Sequence, residues 1–229
     1  MSSEPIPIRD MVKAFHDGNA IESSRLQRSM KLAPSSEGRS NDLPALLHRF
    51  GNQNFTFGTL SFRDLREIFR AIKPRPNDLF CDAGAGYGHA VFYGACVAGC
   101  RFRAVEILPQ RCNTMRKTAK RLGLDVEVVQ GDALAQSYAD VSYLFVNSPF
   151  FPDAAKRFVD GLKKARTKPL TVIAVHNIVE TFRNGRDFAE VEVAADLPNY
   201  CFGVFRWKPR SKARPVTPTS TATSPTRPE

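Results

Sequence analysis

The chain has 229 residues, 42% of them hydrophobic and 24% charged, with a net charge of +10. That length holds one domain with a full core and flanking segments, and the apolar share excludes a chain that is unstructured throughout. No run approaches the roughly 18 apolar residues of a membrane span, and Met1-Ser2-Ser3-Glu4-Pro5 lacks a charged-then-apolar signal pattern, so a soluble intracellular protein is expected.

Residues 1–50 read as a partly helical extension. Ile8, Met11, Val12 and Phe15 recur at helical spacing, residues 33–42 are a polar loop, and Leu43 to Phe50 has room for one or two helical turns. A single α/β unit is expected over 51–208. Ser61-Phe62-Arg63-Asp64 is a helix start, and Phe62, Leu65, Ile68, Phe69 and Ile72 line one face until Lys73-Pro74-Arg75-Pro76 stops the helix. Leu79 to Cys81 is a buried strand, followed by a helix from His89 to about Gly99 and a second strand ending at Glu106. Pro109 opens a helix that runs to Leu122 and stops at Gly123. Val126 to Gln130 and Val141 to Asn147 are strands, Asp153 to about Ala165 is a helix, and Leu170 to Val175 is the fifth strand. Glu190 to Ala194 and Tyr200 to Trp207 read as a strand pair joined by a Leu-Pro-Asn turn, forming an antiparallel edge.

This alternation predicts a doubly wound α/β fold: a mostly parallel sheet, helices on both faces and a C-terminal antiparallel pair. Residues 209–229 are rich in Pro, Thr, Ser and Arg and are expected to be disordered. From Arg206 to the end, six cations against Glu229 supply +5 of the +10, so a basic arm is the main electrostatic feature. It suits nucleic acid or an acidic partner, or serves only for solubility. The five cysteines (Cys81, Cys96, Cys100, Cys112, Cys201) form no C-x-x-C pair and the four histidines are scattered, so no metal site is expected.

The chemistry concentrates in Asp82-Ala83-Gly84-Ala85-Gly86-Tyr87-Gly88 and in Glu106, twenty residues past Gly86. A strand, a glycine turn and a helix, with an acid closing the next strand, make a nucleoside site in which the acid accepts from the ribose hydroxyls. Dinucleotide folds keep the helix N-terminus free for pyrophosphate. Asp82 would repel phosphate there and suit an ammonium group, which points to S-adenosylmethionine rather than NAD. The D-x-G-x-G-x-G pattern resembles motif I of class I methyltransferases. That resemblance implies a seven-stranded sheet, an N-terminal region lying over the cofactor face, and an adenine-binding acid at Asp132, followed by Ala133.

A second element, Phe145-Val146-Asn147-Ser148-Pro149-Phe150-Phe151, closes strand four on the carboxyl side of the sheet, where ligands bind. Asn147 can donate or accept, and Phe150 and Phe151 can wall an apolar slot. A plain strand-to-helix turn with two core aromatics has the same composition.

Phe57-Gly58-Thr59-Leu60-Ser61-Phe62, motif I, Val105-Glu106, Gly131-Asp132 and Phe145-Val146-Asn147 together resemble the disruptor-of-telomeric-silencing family of histone lysine methyltransferases, over roughly 55–180. The resemblance implies that Gly84 and Gly86, with Gly88, cradle the methionine part, that Glu106 holds ribose and that Asp132 binds adenine. It also implies that Asn147 orients the reacting groups and that Phe57 covers the cofactor where the family has a tyrosine. The acceptor implied is a protein lysine, in a histone or nucleosome, and the compartment nuclear; with another acceptor it would be cytoplasmic. Phe57-Gly58-Thr59-Leu60 departs from the family's tyrosine-glycine-glutamate-threonine, and His89 stands for a glutamine. Other readings share the same residues. Asn147-Ser148-Pro149-Phe150 approximates the Asn-Pro-Pro-aromatic loop of enzymes that methylate adenine or a glutamine amide. A small-molecule methyltransferase, or a binding module on a decayed fold, also fits this outline.

Overall fold

The computed structural model describes residues 7–32, 59–147, 149–164, 168–195 and 197–207. Seven strands form one sheet in the order β3-β2-β1-β4-β5-β7-β6. They are β1 (Leu79–Ala83), β2 (Arg101–Glu106), β3 (Val126–Gln130), β4 (Tyr143–Asn147), β5 (Thr171–Val175), β6 (Phe188–Glu190) and β7 (Phe202–Trp207). β1 to β5 pair in parallel, whereas β7 runs antiparallel to both β5 and β6. The seven-stranded doubly wound fold is therefore as expected. Within the antiparallel pair β7 lies between β5 and β6, leaving the three-residue β6 at the edge.

The helices are α1 (Ile8–Asp17), α2 (Ser23–Met30), α3 (Phe62–Ile72), α4 (His89–Val97), α5 (Pro109–Leu122), α6 (Pro152–Lys164) and α7 (Ile178–Arg183). Local chemistry sets several of their ends. Ser61 and Asp64 form a reciprocal capping box on α3: the Asp64 N–H donates to Ser61 Oγ and the Ser61 N–H to Asp64 Oδ2. On α5, Pro109 occupies the first turn and Gly123, at φ 61°, closes the helix with its N–H toward Ala119 and Lys120.

Each face of the sheet has its own core. Side chains from α1 to α5 cover one face, around Phe62, Phe69, Phe80, Phe92 and Tyr93. Helices α6 and α7 cover the other, around Phe150, Phe158, Phe182 and Phe205. All five residues of β1 are buried, because it lies between β2 and β4 with helices on both sides. Helix α1 rests on α4 through His16 Nδ1 and the Tyr93 hydroxyl at 3.1 Å, and on α3 through an Arg70 side-chain bond to the His16 carbonyl. Helix α2 reaches α3 through the Arg63 N–H, which donates to Ser23 Oγ at 3.1 Å.

Helices α2 and α7 were not expected. α2 carries only Leu26 and Met30 as apolar anchors in a polar segment, and α7 is a six-residue helix around Ile178, Val179 and Phe182. The sixth strand was expected at Glu190 to Ala194. Its ladder instead begins at Phe188, and the chain beyond Val191 leaves the sheet so that Ala195, Leu197 and Tyr200 pack on the α1–α5 core. The expected helical turns at 43–50 and the unstructured tail lie outside the described residues.

Candidate active site

The glycine loop leaves β1 at Ala83 with Gly84, Gly86 and Gly88 at φ 85°, 58° and 79°. The N–H groups of Gly84 and Ala85 both donate to the Val105 carbonyl at 2.9 Å, which pins the loop across the end of β2. A side chain at Gly84 would stand 2.4 Å from Cβ of Pro149, so the glycine loop and the loop after β4 touch there. Gly88 caps α4, and an added Cβ would lie 2.8 Å from the Phe92 ring.

Glu106 ties three loops together. One carboxylate oxygen accepts the Gly86 N–H at 2.8 Å, the other accepts the Leu108 N–H at 2.9 Å, and its carbonyl accepts the Gly131 N–H at 2.9 Å. Arg111, itself 7% exposed, brings its guanidinium to 4.0 Å from the same carboxylate and lies over the Tyr87 ring. Burial pushes the Glu106 carboxyl up, opposed by the Leu108 N–H, by Arg111 and by the Gly86 N–H. Each carboxylate oxygen keeps acceptor capacity beyond these bonds, as a ribose ligand requires.

Asp82 sits one strand inward, 4% exposed. Burial raises its carboxyl from 3.8 to about 8, and the negative charge of Glu106 adds to the rise. A cationic ligand beside these two buried acids would draw Asp82 into its ionised form, whereas a pyrophosphate would meet no such partner. Asp132 caps a single 3-10 turn (Ala133–Ala135), accepting the Leu134 N–H at 2.8 Å, and Ala133 is buried with its carbonyl bonded to the Tyr138 hydroxyl at 2.9 Å. Asn147 is the last residue of β4, paired in register with Val175 of β5. His89, the first residue of α4, is held neutral because burial lowers it to about 4.

Phe150 lies on the core side of the loop after β4. It is 1% exposed, and its ring packs on Phe158 at 4.8 Å between centroids, in the core under α6. Its ring there faces the core rather than open surface. Its neighbour Phe151 is 45% exposed and faces outward. Phe57 and Ser148 lie outside the described residues.

Sequence reasoning missed Arg111, although it falls on the buried stripe of α5 with Cys112, Met115 and Ala119, an unusual place for a cation. It also missed His176. That residue follows β5 at φ 66°, donates its N–H to the Cys201 carbonyl at 2.7 Å and meets the Tyr200 ring edge-on at 5.3 Å. Histidine in the left-handed region is uncommon, and here it stands at the carboxyl end of the strand beside Asn147. No local pattern in the sequence marks that turn.

Strand order, glycine loop and paired buried acids define the class of fold, that of the class I methyltransferases. The family that the motifs resemble matches over part of the chain. Residues 43–152, just under half of the chain, match the model of "Histone methylation protein DOT1". A histone-lysine N-methyltransferase, H3 lysine-79 specific, from Cryptococcus neoformans is 27% identical over 137 residues, 49% of this chain and 21% of that protein. This chain thus spans about a fifth of the length of that relative. Among solved structures, an RNA methyltransferase from Salinibacter ruber in complex with S-adenosyl-L-homocysteine is similar at TM-score 0.52 and 23% identity, covering 66% of this chain and 92% of that one. A methyltransferase from Geobacter sulfurreducens is similar at TM-score 0.53 and 18% identity, covering 87% and 97%. These two likenesses establish the fold.

Proposed function

We propose that this chain transfers a methyl group from S-adenosylmethionine to the side-chain nitrogen of a protein lysine, with a histone in a nucleosome as acceptor and the nucleus as the compartment. The observation that carries the proposal is the contact between Gly84 and Pro149, which sets the loop bearing Asn147 against the loop that would cradle the methionine half of the cofactor. The family match spans both loops.

In this reading Asp82 faces the ammonium end, Glu106 holds the ribose, and Asp132 with Ala133 borders the adenine. Gly84, Gly86 and Gly88 let backbone approach the ligand. The cofactor, when bound, supplies a methyl group on a positively charged sulfur that leaves readily, so the chain needs no strong base. Its task is placement. The lysine must arrive neutral, and loss of hydration in an apolar slot lowers its pKa. Phe151 supplies one wall, Phe57 is the candidate for a second, and Asn147 fixes the amine through a hydrogen bond. The amine proton leaves to water. The buried position of Phe150 counts against adenine as acceptor, because the base would lack its stacking partner.

Radiolabelled methyl transfer to nucleosomes, free histones, DNA, RNA and cell lysate tests the acceptor. Label is expected on lysine in protein. Label confined to nucleic acid would overturn the proposal, and absence of cofactor binding by calorimetry would point to a non-enzymatic module.

A further inference from the structure

We propose that the outward face shared by α2 and α5 is a docking surface for duplex DNA, read through its phosphates and separate from the basic C-terminal arm. Ser23 to Lys31 and Pro109 to Gly123 together carry eight cations and no carboxylate. Arg111 is turned inward to Glu106, and Arg116 donates to the Val128 carbonyl. The rest of the surface is Arg25, Arg28 and Lys31 on α2 with Lys117, Lys120 and Arg121 on α5, all exposed. Arg121 Nη2 donates to the Met30 carbonyl at 2.6 Å, which brings the C-terminal ends of the two helices together and makes one stripe of the two sets.

A face that serves only for solubility ordinarily interleaves acids with its cations at i,i+3 and i,i+4. Here Lys117–Lys120 and Lys117–Arg121 place like charges at those spacings. The acids flanking the stripe lie at its margins: Glu22, at the start of α2, accepts from Ser24 Oγ, Asp125 follows Gly123, and Glu127 is bonded to Arg103 at 2.7 Å. The cations at the two helix C-termini are partly answered by the helix dipoles, but the dipole acts only over the last turn and does not reach Arg25. The stripe is carried on two helices rather than in a pocket, so it suits an extended polyanion better than a small phosphate. B-form DNA offers one charge per about 1.7 Å, dense enough to meet every cation of the stripe. Helix α5 is about 21 Å long and begins beside Glu106, so DNA at its far end leaves the cofactor crevice open.

The test uses the full chain and two variants on separate helices, Arg25→Gln/Arg28→Gln and Lys117→Gln/Lys120→Gln. Fluorescence anisotropy with two labelled duplexes of unrelated sequence, across roughly 50 to 200 mM salt, gives the slope of log affinity against log salt. Each variant should flatten that slope by about 2, and the combined variant by between about 3 and 4. Cofactor affinity should not change. Slopes equal to the parent's in both variants overturn the proposal, as does an affinity loss seen with only one duplex sequence. A variant that loses cofactor binding is set aside, and the pair on the other helix decides. The readout is binding, so it stands or falls independently of whether lysine is the methyl acceptor.

Discussion

Replacing Asp82 with Asn probes the electrostatics of the crevice most directly. In the free protein the Asp82 carboxyl is raised to about 8, chiefly by burial, so at pH 7 about one molecule in ten carries it ionised. A cationic ligand facing Asp82 favours the ionised form and must release the proton. Affinity should therefore rise with pH from about 6 to about 7.5, by up to about tenfold per unit or roughly 1.4 kcal/mol, and stop rising near pH 8, where the ligand's own α-amino group loses its proton. Asp82→Asn should bind more weakly than the parent at about pH 7.5, with a much flatter profile. The free fold responds in the opposite sense. A carboxyl raised from 3.8 to about 8 on folding contributes stability fully below the lower value and loses that contribution as pH climbs through the upper one. Calorimetric titration with S-adenosylmethionine in buffers of different ionisation enthalpy measures affinity and proton release together. A parent profile that is flat, or that falls with pH, between about 6 and 7.5 would refute the reasoning.

Gly84→Ala meets both a left-handed backbone and Pro149 at 2.4 Å; it should cost about 1–3 kcal/mol of stability and weaken cofactor binding at least tenfold, read from Tm and calorimetry. Asn147→Ala should leave cofactor affinity within about twofold yet cut kcat by roughly a hundredfold; an unchanged rate would remove Asn147 from the reaction centre. The two neighbouring phenylalanines should separate cleanly. Phe150→Ala should cost about 3–5 kcal/mol of folding stability, measured by denaturant titration. Phe151→Ala should leave Tm nearly untouched and lower turnover.

The sheet was legible because its signals are local. β1 is a continuous apolar run, α5 is bracketed by Pro109 and Gly123, and the Ser61–Asp64 box is written in four residues. The acids at 82, 106 and 132 were legible for a related reason: strand ends and turn glycines fix where they emerge. What escaped depends on contacts distant in sequence. Helix α2 has two anchors and is held by α3, while β6 begins at Phe188 because β7 offers its ladder there. Composition gave Phe150 and Phe151 equal standing. Only the position of Phe158, on the following helix, sends one ring inward and leaves the other out.

The bonds made by Glu106 change how its loss must be read. The carboxylate proposed to grip the sugar also fastens the Gly86 turn and the start of the Leu108 segment. Truncation to alanine would slacken the scaffold along with the grip, and a dead enzyme would not say which had failed. Glutamine, which keeps one acceptor oxygen and the same reach, is the informative exchange at this keystone.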